Sequence, residues 1–239
     1  MLARRGLRNV LPPTLALAVR REWLARQVAS GRAYREGEVD SLPRFVKRGD
    51  VCWDVGANSG TYTLALSRLA SAVIAFEPVP HNYEILERVV RRAKLANVTL
   101  KRLAISDTSG TARMSVPIEG FYGGYYLAAL DERGNVPVSM ASIDELIAQG
   151  VPEPAFIKCD VEGAEDRVLR GARSLIARRH PVWLIETFED TLLPLGRSLG
   201  YAAFITTDDG RLAPVGARLS THRNYWLLPD PPTAASPSA

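Results

Sequence analysis

The sequence predicts an α/β fold, a mostly parallel β-sheet with helices on both faces. Short runs rich in β-branched and aromatic residues alternate with amphipathic helical stretches from about residue 50 onward. The strand-like runs, such as 73–76, are continuously apolar, which is typical of strands buried on both sides. The chain has 239 residues, 46% hydrophobic and 23% charged, and this composition suits one globular domain of that kind.

The first 45 residues are expected to form a basic helical extension, because they are Arg-rich and carry no strand signal. The apolar stretch 10–19 contains two prolines and is followed by Arg20 and Arg21 without a small-residue cleavage site, so a secretory signal is not predicted. The stretch is also too short to cross a bilayer. We expect helices that cap the domain, with peripheral membrane contact as a second interpretation.

Residues 46–229 are expected to form the main domain, in which strands and helices alternate. Strands are predicted at 51–55, 72–76, 98–102, 155–159, 182–185, 202–206 and 225–228, with short extended pieces at 112–116 and 136–139. Helices are predicted at 62–70, 81–94, 142–149, 164–177 and 191–199. The last two strands have no helix between them, so an antiparallel hairpin is expected to end the sheet. Residues 230–239 are rich in Pro, Ser and Ala and are predicted to be disordered.

Charge and cysteine content narrow the class of protein. The net charge is +4, and no basic stripe with interleaved aromatic residues is visible, so nucleic-acid binding is not expected. Cys52 and Cys159 both fall within predicted strands, at a spacing that indicates neither a disulfide framework nor a metal site. We therefore expect a cytoplasmic protein with two buried thiols.

The turn after the first strand is a candidate cofactor-binding element. Gly56 and Gly60 permit a tight strand-to-helix turn and a close approach of the backbone to a ligand. Ligands of open α/β sheets bind at the carboxyl ends of the strands, which is where this turn lies. Asp54, at the end of the strand, can take the ammonium group of an amino-acid ligand.

Glu77 ends the second strand, where a carboxylate can accept both hydroxyls of a ribose. The nearest alternative is a nicotinamide dinucleotide site, which requires the three glycines of G-x-G-x-x-G around a pyrophosphate. This turn has only Gly56 and Gly60, and the acidic Asp54 would repel a pyrophosphate. The pattern therefore favours S-adenosylmethionine over a dinucleotide.

Four segments together resemble the FkbM family of methyltransferases, namely 54–60, 76–83, 104–110 and 157–165. The resemblance covers roughly residues 40–228. It implies the Rossmann-like class I methyltransferase fold, with seven strands in the order 3-2-1-4-5-7-6 and the seventh antiparallel. It also implies methyl transfer from S-adenosylmethionine to a hydroxyl of a sugar, glycolipid or polyketide-type natural product. By motif, it places the following residues around the cofactor: Asp54, Gly56, Asn58, Gly60, Thr61, Glu77, Pro78 and Ala104.

Asp160 and Glu186 are the predicted catalytic residues, at the tips of the fourth and fifth core strands. A hydroxyl acceptor has a high pKa, so a base or a metal must assist its attack. Our hypothesis is that Asp160 is the general base or a ligand of a divalent ion such as Mg²⁺, with Glu186 as its companion and Glu162 between them. The alternative is that Asp160 only positions the cofactor or caps the next helix. Two carboxylates are thin evidence for a metal.

The Gly- and Tyr-rich loop at 120–126 is the predicted acceptor-binding element. Tyr122 and Tyr126 can stack on a sugar ring or an apolar acceptor, and the glycines would let the loop close as a lid. The alternative is that these aromatic residues only pack the loop on the sheet. His222 is a weaker candidate for the acceptor side. Two other functions stay open from the residues alone: a dinucleotide-binding oxidoreductase and a non-catalytic cofactor-binding protein.

Overall fold

The computed structural model describes residues 13–33, 37–116, 129–179, 181–189, 191–216 and 223–230. In chain order its elements are α1 (Pro13–Ala29), a 3-10 helix (Gly37–Arg44), β1 (Val51–Val55), α2 (Thr61–Ser67), β2 (Ala72–Phe76), α3 (Pro80–Ala93), β3 (Val98–Lys101), β4 (Ala104–Ser106), β5 (Gly110–Ser115), β6 (Ala129–Leu130), β7 (Val136–Ser142), α4 (Ile143–Ala148), β8 (Phe156–Cys159), α5 (Glu165–Arg170), α6 (Arg173–Arg179), β9 (Val182–Glu186), α7 (Leu192–Ser198), β10 (Tyr201–Thr206), β11 (Leu212–Pro214) and β12 (Asn224–Pro229).

The main sheet has the strand order β11-β10-β12-β9-β8-β1-β2-β3. Five neighbouring strands of this sheet, β9, β8, β1, β2 and β3, run parallel to one another. Strand β12 is antiparallel to both of its neighbours, β9 and β10. With β8, β9, β10 and β12 counted as the fourth to seventh strands, the predicted order 3-2-1-4-5-7-6 is confirmed. The edge strand β11, which pairs antiparallel with β10, was not predicted and makes the sheet eight-stranded.

A second sheet, in the order β4-β7-β5-β6, stands beside the first. The sequence predicts only short extended pieces here, and that prediction is incomplete. β4 pairs parallel with β7, and β5 pairs antiparallel with both β7 and β6. The pairing of β4 with β7 joins residues far apart in the chain, so local pattern alone does not reveal it.

Alternation along the strands builds a core on each face of the main sheet. On β2, Val73 and Ala75 face the side of α2 and α3, and Ile74 and Phe76 face the side of α4 to α7. All four side chains are at most 5% exposed. Burial on both faces explains why the strands read as continuous apolar runs.

The helix predicted over 164–177 is in fact two helices, α5 and α6, separated at Gly171. A Cβ at Gly171 would lie 2.2 Å from the carbonyl oxygen of Ser106. The backbone of β4 therefore approaches too closely for any side chain at this point, and the helix breaks there.

Helix α1 packs on α3 through Leu24, Ala25 and Val28, which contact Ile85 and Val89. In the part of the chain that the structure describes, no helix is both long and apolar enough to traverse a bilayer. The two cysteines are buried and unpaired with each other, as predicted. The division of the chain into an extension, a domain at 46–229 and a tail stays a prediction.

Candidate active site

A cleft opens at the carboxyl ends of the parallel strands and encloses an empty volume of about 580 Å³ out to its mouth. The residues that line it come from the loops after β1, β2 and β8 and from the second sheet: Gly56, Asn58, Glu77, Pro78, Val79, Asn82, Leu103, Ala104, Ile105, Met114, Asp160, Val161, Glu162 and Ala164.

Gly56 lets two of these loops touch. Its φ is +79°, in the left-handed region, and a Cβ there would lie only 1.7 Å from the carbonyl oxygen of Asp160. The backbone N–H groups of Gly56 and Ala57 donate to the carbonyl of Phe76 at 3.0 and 2.9 Å. The turn is thus locked between β2 and the loop after β8, and glycine is the residue that fits it.

Glu77 connects the turn after β1 to the segment after β2, and both line the cleft. Its Oε2 accepts the backbone N–H of Asn58 at 2.8 Å, and its Oε1 accepts that of Val79 at 2.9 Å. Burial raises the pKa of the Glu77 carboxyl to about 7, although these hydrogen bonds and one from the Asn82 side chain act to lower it. Three of the four lone-pair sites of the carboxylate are thus in use, and the fourth can accept a hydroxyl of a ribose.

Asp54 is also buried, at 1% exposure, but it is not among the residues that line the cleft. The hydroxyl of Thr63 donates to its carboxylate, and Lys158 lies opposite it on β8. Burial raises the pKa of Asp54 to about 6, while Thr63 and the Lys158 charge lower it. The predicted role of Asp54 as an ammonium acceptor, directly or through water, stays a prediction.

Lys158 links this buried carboxylate to the cleft. Its Nζ lies 3.7 Å from Oδ2 of Asp160 and 4.9 Å from the centre of the Tyr62 ring. Lys158 is 1% exposed, and lysine is almost never fully buried unless it is paired. One cation therefore stabilises two carboxylates. The sequence signal for this role of Lys158 is a charged residue within an apolar strand, and Lys158 was not among the predicted site residues.

The second sheet contributes an apolar wall to the cleft. Ala104, Ile105 and Met114 are buried, and Leu103 is partly buried beside them. A flat apolar slot of this kind suits an aromatic base such as adenine. Ala104 was predicted for this place, and Met114 was not.

Asp160 and Glu162 form the acidic end of the cleft. The backbone N–H of Asp160 donates to the carbonyl of Val55 at 3.0 Å, and its side chain is 30% exposed. Glu162 has a φ of +54°, a strained conformation for a residue with a long side chain. Burial raises the pKa of Glu162 to about 7, and the nearby charges of Asp160, Glu186 and Glu165 add to this.

Glu165 fixes the shape of the acidic loop. It is 2% exposed, and its Oε1 accepts the backbone N–H groups of Val161 and Gly163 at 3.0 and 3.2 Å. Burial raises the pKa of the Glu165 carboxyl, and the hydrogen bonds from the loop act to lower it. Glu165 thus acts through the loop that presents Asp160 and Glu162, and the sequence gives no local sign of that role.

The predicted site residues therefore divide into three groups. Those that line the cleft are Gly56, Asn58, Glu77, Pro78, Ala104 and Asp160. A second group within the described residues, which includes Asp54, does not line the cleft. Gly60 lies against Leu86 of α3, and Thr61 lines a separate cavity beside α1. Glu186 ends β9, and its charge helps to raise the pKa of Glu162. Tyr122, Tyr126 and His222 lie outside the described residues.

A metal site is not evident in what the structure describes. Within those ranges no group of three or more His, Cys, Asp and Glu side chains is arranged to hold an ion. The predicted pair of Asp160 and Glu186 would supply only two ligands.

Comparison with known proteins agrees with this geometry. The family model described as "Methyltransferase FkbM domain" matches residues 54–201. The hexuronic acid methyltransferase AglP of Haloferax volcanii is 36% identical over 139 residues, which is 56% of this chain and 56% of that protein. The 31-O-demethyl-FK506 methyltransferase FkbM of Streptomyces tacrolimicus is 29% identical over 201 residues, covering 67% of this chain and 75% of that protein.

A crystal structure of methyltransferase FkbM from Methylobacillus flagellatus shares the fold, with a TM-score of 0.52 and 17% identity. The similarity covers 87% of this chain and 59% of that one, so the chain spans little more than half the length of this structure and of AglP. The family match covers the turn at Gly56, the carboxylate at Glu77 and the acidic loop after β8 in one segment. The chain therefore belongs to the FkbM methyltransferase family.

Proposed function

We propose that the protein is an S-adenosylmethionine-dependent methyltransferase that modifies a hydroxyl of a sugar, glycolipid or polyketide-type product. One observation carries the proposal: a single cleft contains a buried carboxylate suited to a ribose, Glu77, and an acidic loop suited to a hydroxyl acceptor, at Asp160 and Glu162. The names of the two relatives support the acceptor class, since one specifies a hexuronic acid and the other an O-demethyl compound.

The residues present fit the cofactor. Glu77 would accept a ribose hydroxyl, and the apolar wall at Ala104 and Met114 would cover the adenine. The turn at Gly56 and Asn58 would lie along the amino-acid part, next to Asp160. The bound cofactor supplies an electrophilic methyl group, so the protein's main task is to align the acceptor oxygen with it.

Asp160 is the proposed general base. When the acceptor oxygen takes the methyl group from the sulfur of the bound cofactor, the proton of its hydroxyl would pass to the Asp160 carboxylate, whose Oδ2 lies 3.7 Å from Nζ of Lys158. Glu162, in the same loop as Asp160, holds a second hydroxyl of the acceptor. The charge of Glu186, at the end of β9, helps to raise the pKa of Glu162.

Tyr122, Tyr126 and His222 complete the proposal on the acceptor side. Support for the two tyrosines comes from the anchoring of their loop, because Met114 lines the cleft just before it. The Asn135 side chain bonds the backbone N–H and carbonyl of Val116 at 2.8 and 2.9 Å. Val116, the last described residue before segment 117–128, is thus held in place two residues after the cleft-lining Met114. The buried thiols Cys52 and Cys159 favour a reducing, cytoplasmic setting.

Isothermal titration calorimetry with four ligands separates this proposal from the oxidoreductase alternative. We expect S-adenosylmethionine and S-adenosylhomocysteine to bind, and NAD⁺ and NADP⁺ to give no heat of binding at the same concentrations. A dinucleotide that binds more tightly than S-adenosylmethionine would refute the cofactor assignment.

A chelator tests the metal at Asp160 and Glu186. Activity that disappears with the chelator and returns with Mg²⁺ supports a bound ion, whereas unchanged activity removes the metal from the mechanism.

A further inference from the structure

The outer face of α1 is apolar and exposed. We define it by Leu15, Val19 and Trp23, which follow one another at a helical spacing of four residues and are 48%, 46% and 52% exposed. The opposite side of the same helix is covered, because Leu24, Ala25 and Val28 pack on α3. A helix that is apolar on both sides is usually buried on both sides. The exposed side of α1 is therefore a surface that suits a further contact.

The exposed charges beside this face are positive. Arg20 and Arg26 of α1 are exposed, and so is Arg32 just after the helix. Glu22 is the one acidic residue of α1, and it forms ion pairs with Arg88 and Arg92 of α3 as well as with Arg26. The one acidic side chain of α1 is thus paired with three arginines, and the outer face combines apolar side chains with an excess of positive charge.

We propose that the outer face of α1 docks on an anionic membrane surface. A helix that carries Trp and aliphatic side chains beside arginines is suited to the boundary between headgroups and acyl chains. Each arginine near an anionic lipid surface adds to the affinity. A second copy of the chain is the less suitable partner, because two such faces would bring like charges together.

This docking would orient the cleft. The Nε–H of Arg21 donates to Nδ1 of His81 at 2.9 Å, and the same guanidinium pairs with Glu84. His81 lies in the first turn of α3, next to Asn82, which lines the cleft. Since packed helices lie about 8–10 Å apart, a membrane-docked α1 would hold the first turn of α3, which borders the cleft, about one helix layer from the membrane. Membrane docking of α1 goes beyond the proposed methyl transfer and does not depend on it.

Tryptophan fluorescence is a selective test. The chain has four tryptophans, and Trp53, Trp183 and Trp226 are fully buried, so a change on adding vesicles reports Trp23. We expect a blue shift with vesicles of phosphatidylcholine and phosphatidylglycerol, quenching by brominated lipid, and loss of both in high salt. Pure phosphatidylcholine vesicles should give a much smaller shift. An equal shift with both vesicle types, or none with either, would overturn the proposal.

Co-sedimentation of variants with the anionic vesicles provides the quantitative test. The pair Arg20→Gln and Arg26→Gln should weaken binding about thirtyfold, and Val19→Ser with Trp23→Ser should weaken it roughly tenfold or more. Matched controls are Phe188→Ser, an apolar residue 62% exposed elsewhere, and Arg211→Gln, an exposed arginine in the β10–β11 turn. Both should bind like the unchanged protein.

Three results would contradict the membrane proposal. The first is an effect of the controls equal to that of the α1 variants. The second is unchanged binding of α1 variants whose circular dichroism and melting match the unchanged protein. The third is a dimer in light scattering that depends on Trp23, which would show that a second copy covers the face.

Discussion

Asp160 is the side chain whose removal should separate chemistry from binding. General base catalysis contributes about 10²–10⁴-fold, so Asp160→Asn should lower kcat by about 100-fold or more. The Kd for S-adenosylmethionine should change only a few-fold, because Glu77 and the apolar wall remain. Steady-state kinetics and calorimetry on the same preparation measure the two quantities.

Asp166→Asn is the matched control, since Asp166 lies in α5 and pairs with the exposed Arg170. It should retain full turnover. If Asp160→Asn keeps turnover within a few-fold of the unchanged protein, Asp160 is not the base.

Glu77 should make cofactor binding depend on pH. Its ionised form accepts a hydrogen bond from a ribose hydroxyl more strongly than its protonated form does. Since burial raises the pKa of Glu77 to about 7, the Kd for S-adenosylmethionine should fall about tenfold from pH 6 to pH 8. Glu77→Gln should bind weakly with little pH dependence in calorimetric titrations. A Kd of the unchanged protein that is constant over this range would contradict the role of Glu77.

Single residues were predictable where their type is unusual for their place in the pattern. Gly56, Glu77 and Asp160 follow strand-like runs directly, and all three line the cleft. Glu165 was part of a recognised motif, but its function depends on the backbone N–H groups of Val161 and Gly163, which only the folded loop presents to it. Glu162 belongs to the cleft through a positive φ that its sequence neighbours do not reveal.

At the scale of elements, the close approach of the β1 turn to the β8 loop is the contact on which the cleft depends. Gly56→Ala places a methyl group 1.7 Å from the carbonyl oxygen of Asp160, so one of the two loops must move. The left-handed φ should cost about 1–2 kcal/mol, and the overlap should add about 1–3 kcal/mol. Urea unfolding gives the loss in stability, and calorimetry should show that cofactor binding is lost.

Gly210→Ala is the control for backbone strain alone. Gly210 has nearly the same φ, +75° against +79°, and nothing lies within 4 Å of its would-be Cβ. Gly210→Ala should lower the free energy of unfolding only by the contribution of backbone strain, and it should bind the cofactor normally. Equal losses of stability in the two variants would show that the close approach is unimportant.

Elements of the main sheet were predictable because their burial on both faces leaves a strong apolar signal. The second sheet was not, because β4 has three residues and its partner β7 lies more than thirty residues further along the chain. The break between α5 and α6 was equally hidden. It depends on the Ser106 carbonyl, which the fold brings against Gly171.

For the whole molecule, the buried carboxyls predict a pH-dependent stability without cofactor. Burial raises the pKa of Asp54 to about 6 and of Glu77 and Glu162 to about 7, above their usual values. The folded state therefore binds these protons more tightly than the unfolded state. Their contribution to stability is largest at low pH and is lost as the pH rises through 6 and 7.

The Tm of the cofactor-free protein should accordingly fall by a few degrees from pH 6 to pH 8 in calorimetric scans. Glu77→Gln removes one of the three ionisations, so its Tm should fall by less over the same range. A Tm that rises with pH would show that these carboxyls are not proton-bound in the folded state.

The central claim is that this fold transfers a methyl group from S-adenosylmethionine to an acceptor oxygen. The most direct measurement uses S-adenosylmethionine with a deuterated methyl group and lipid and glycan extracts from cells lacking the protein, followed by mass spectrometry. We predict a product that carries one deuterated methyl group on oxygen, formed by the unchanged protein and not by Asp160→Asn. Cofactor binding without label in any product would instead indicate a non-catalytic binding protein and contradict the proposed function.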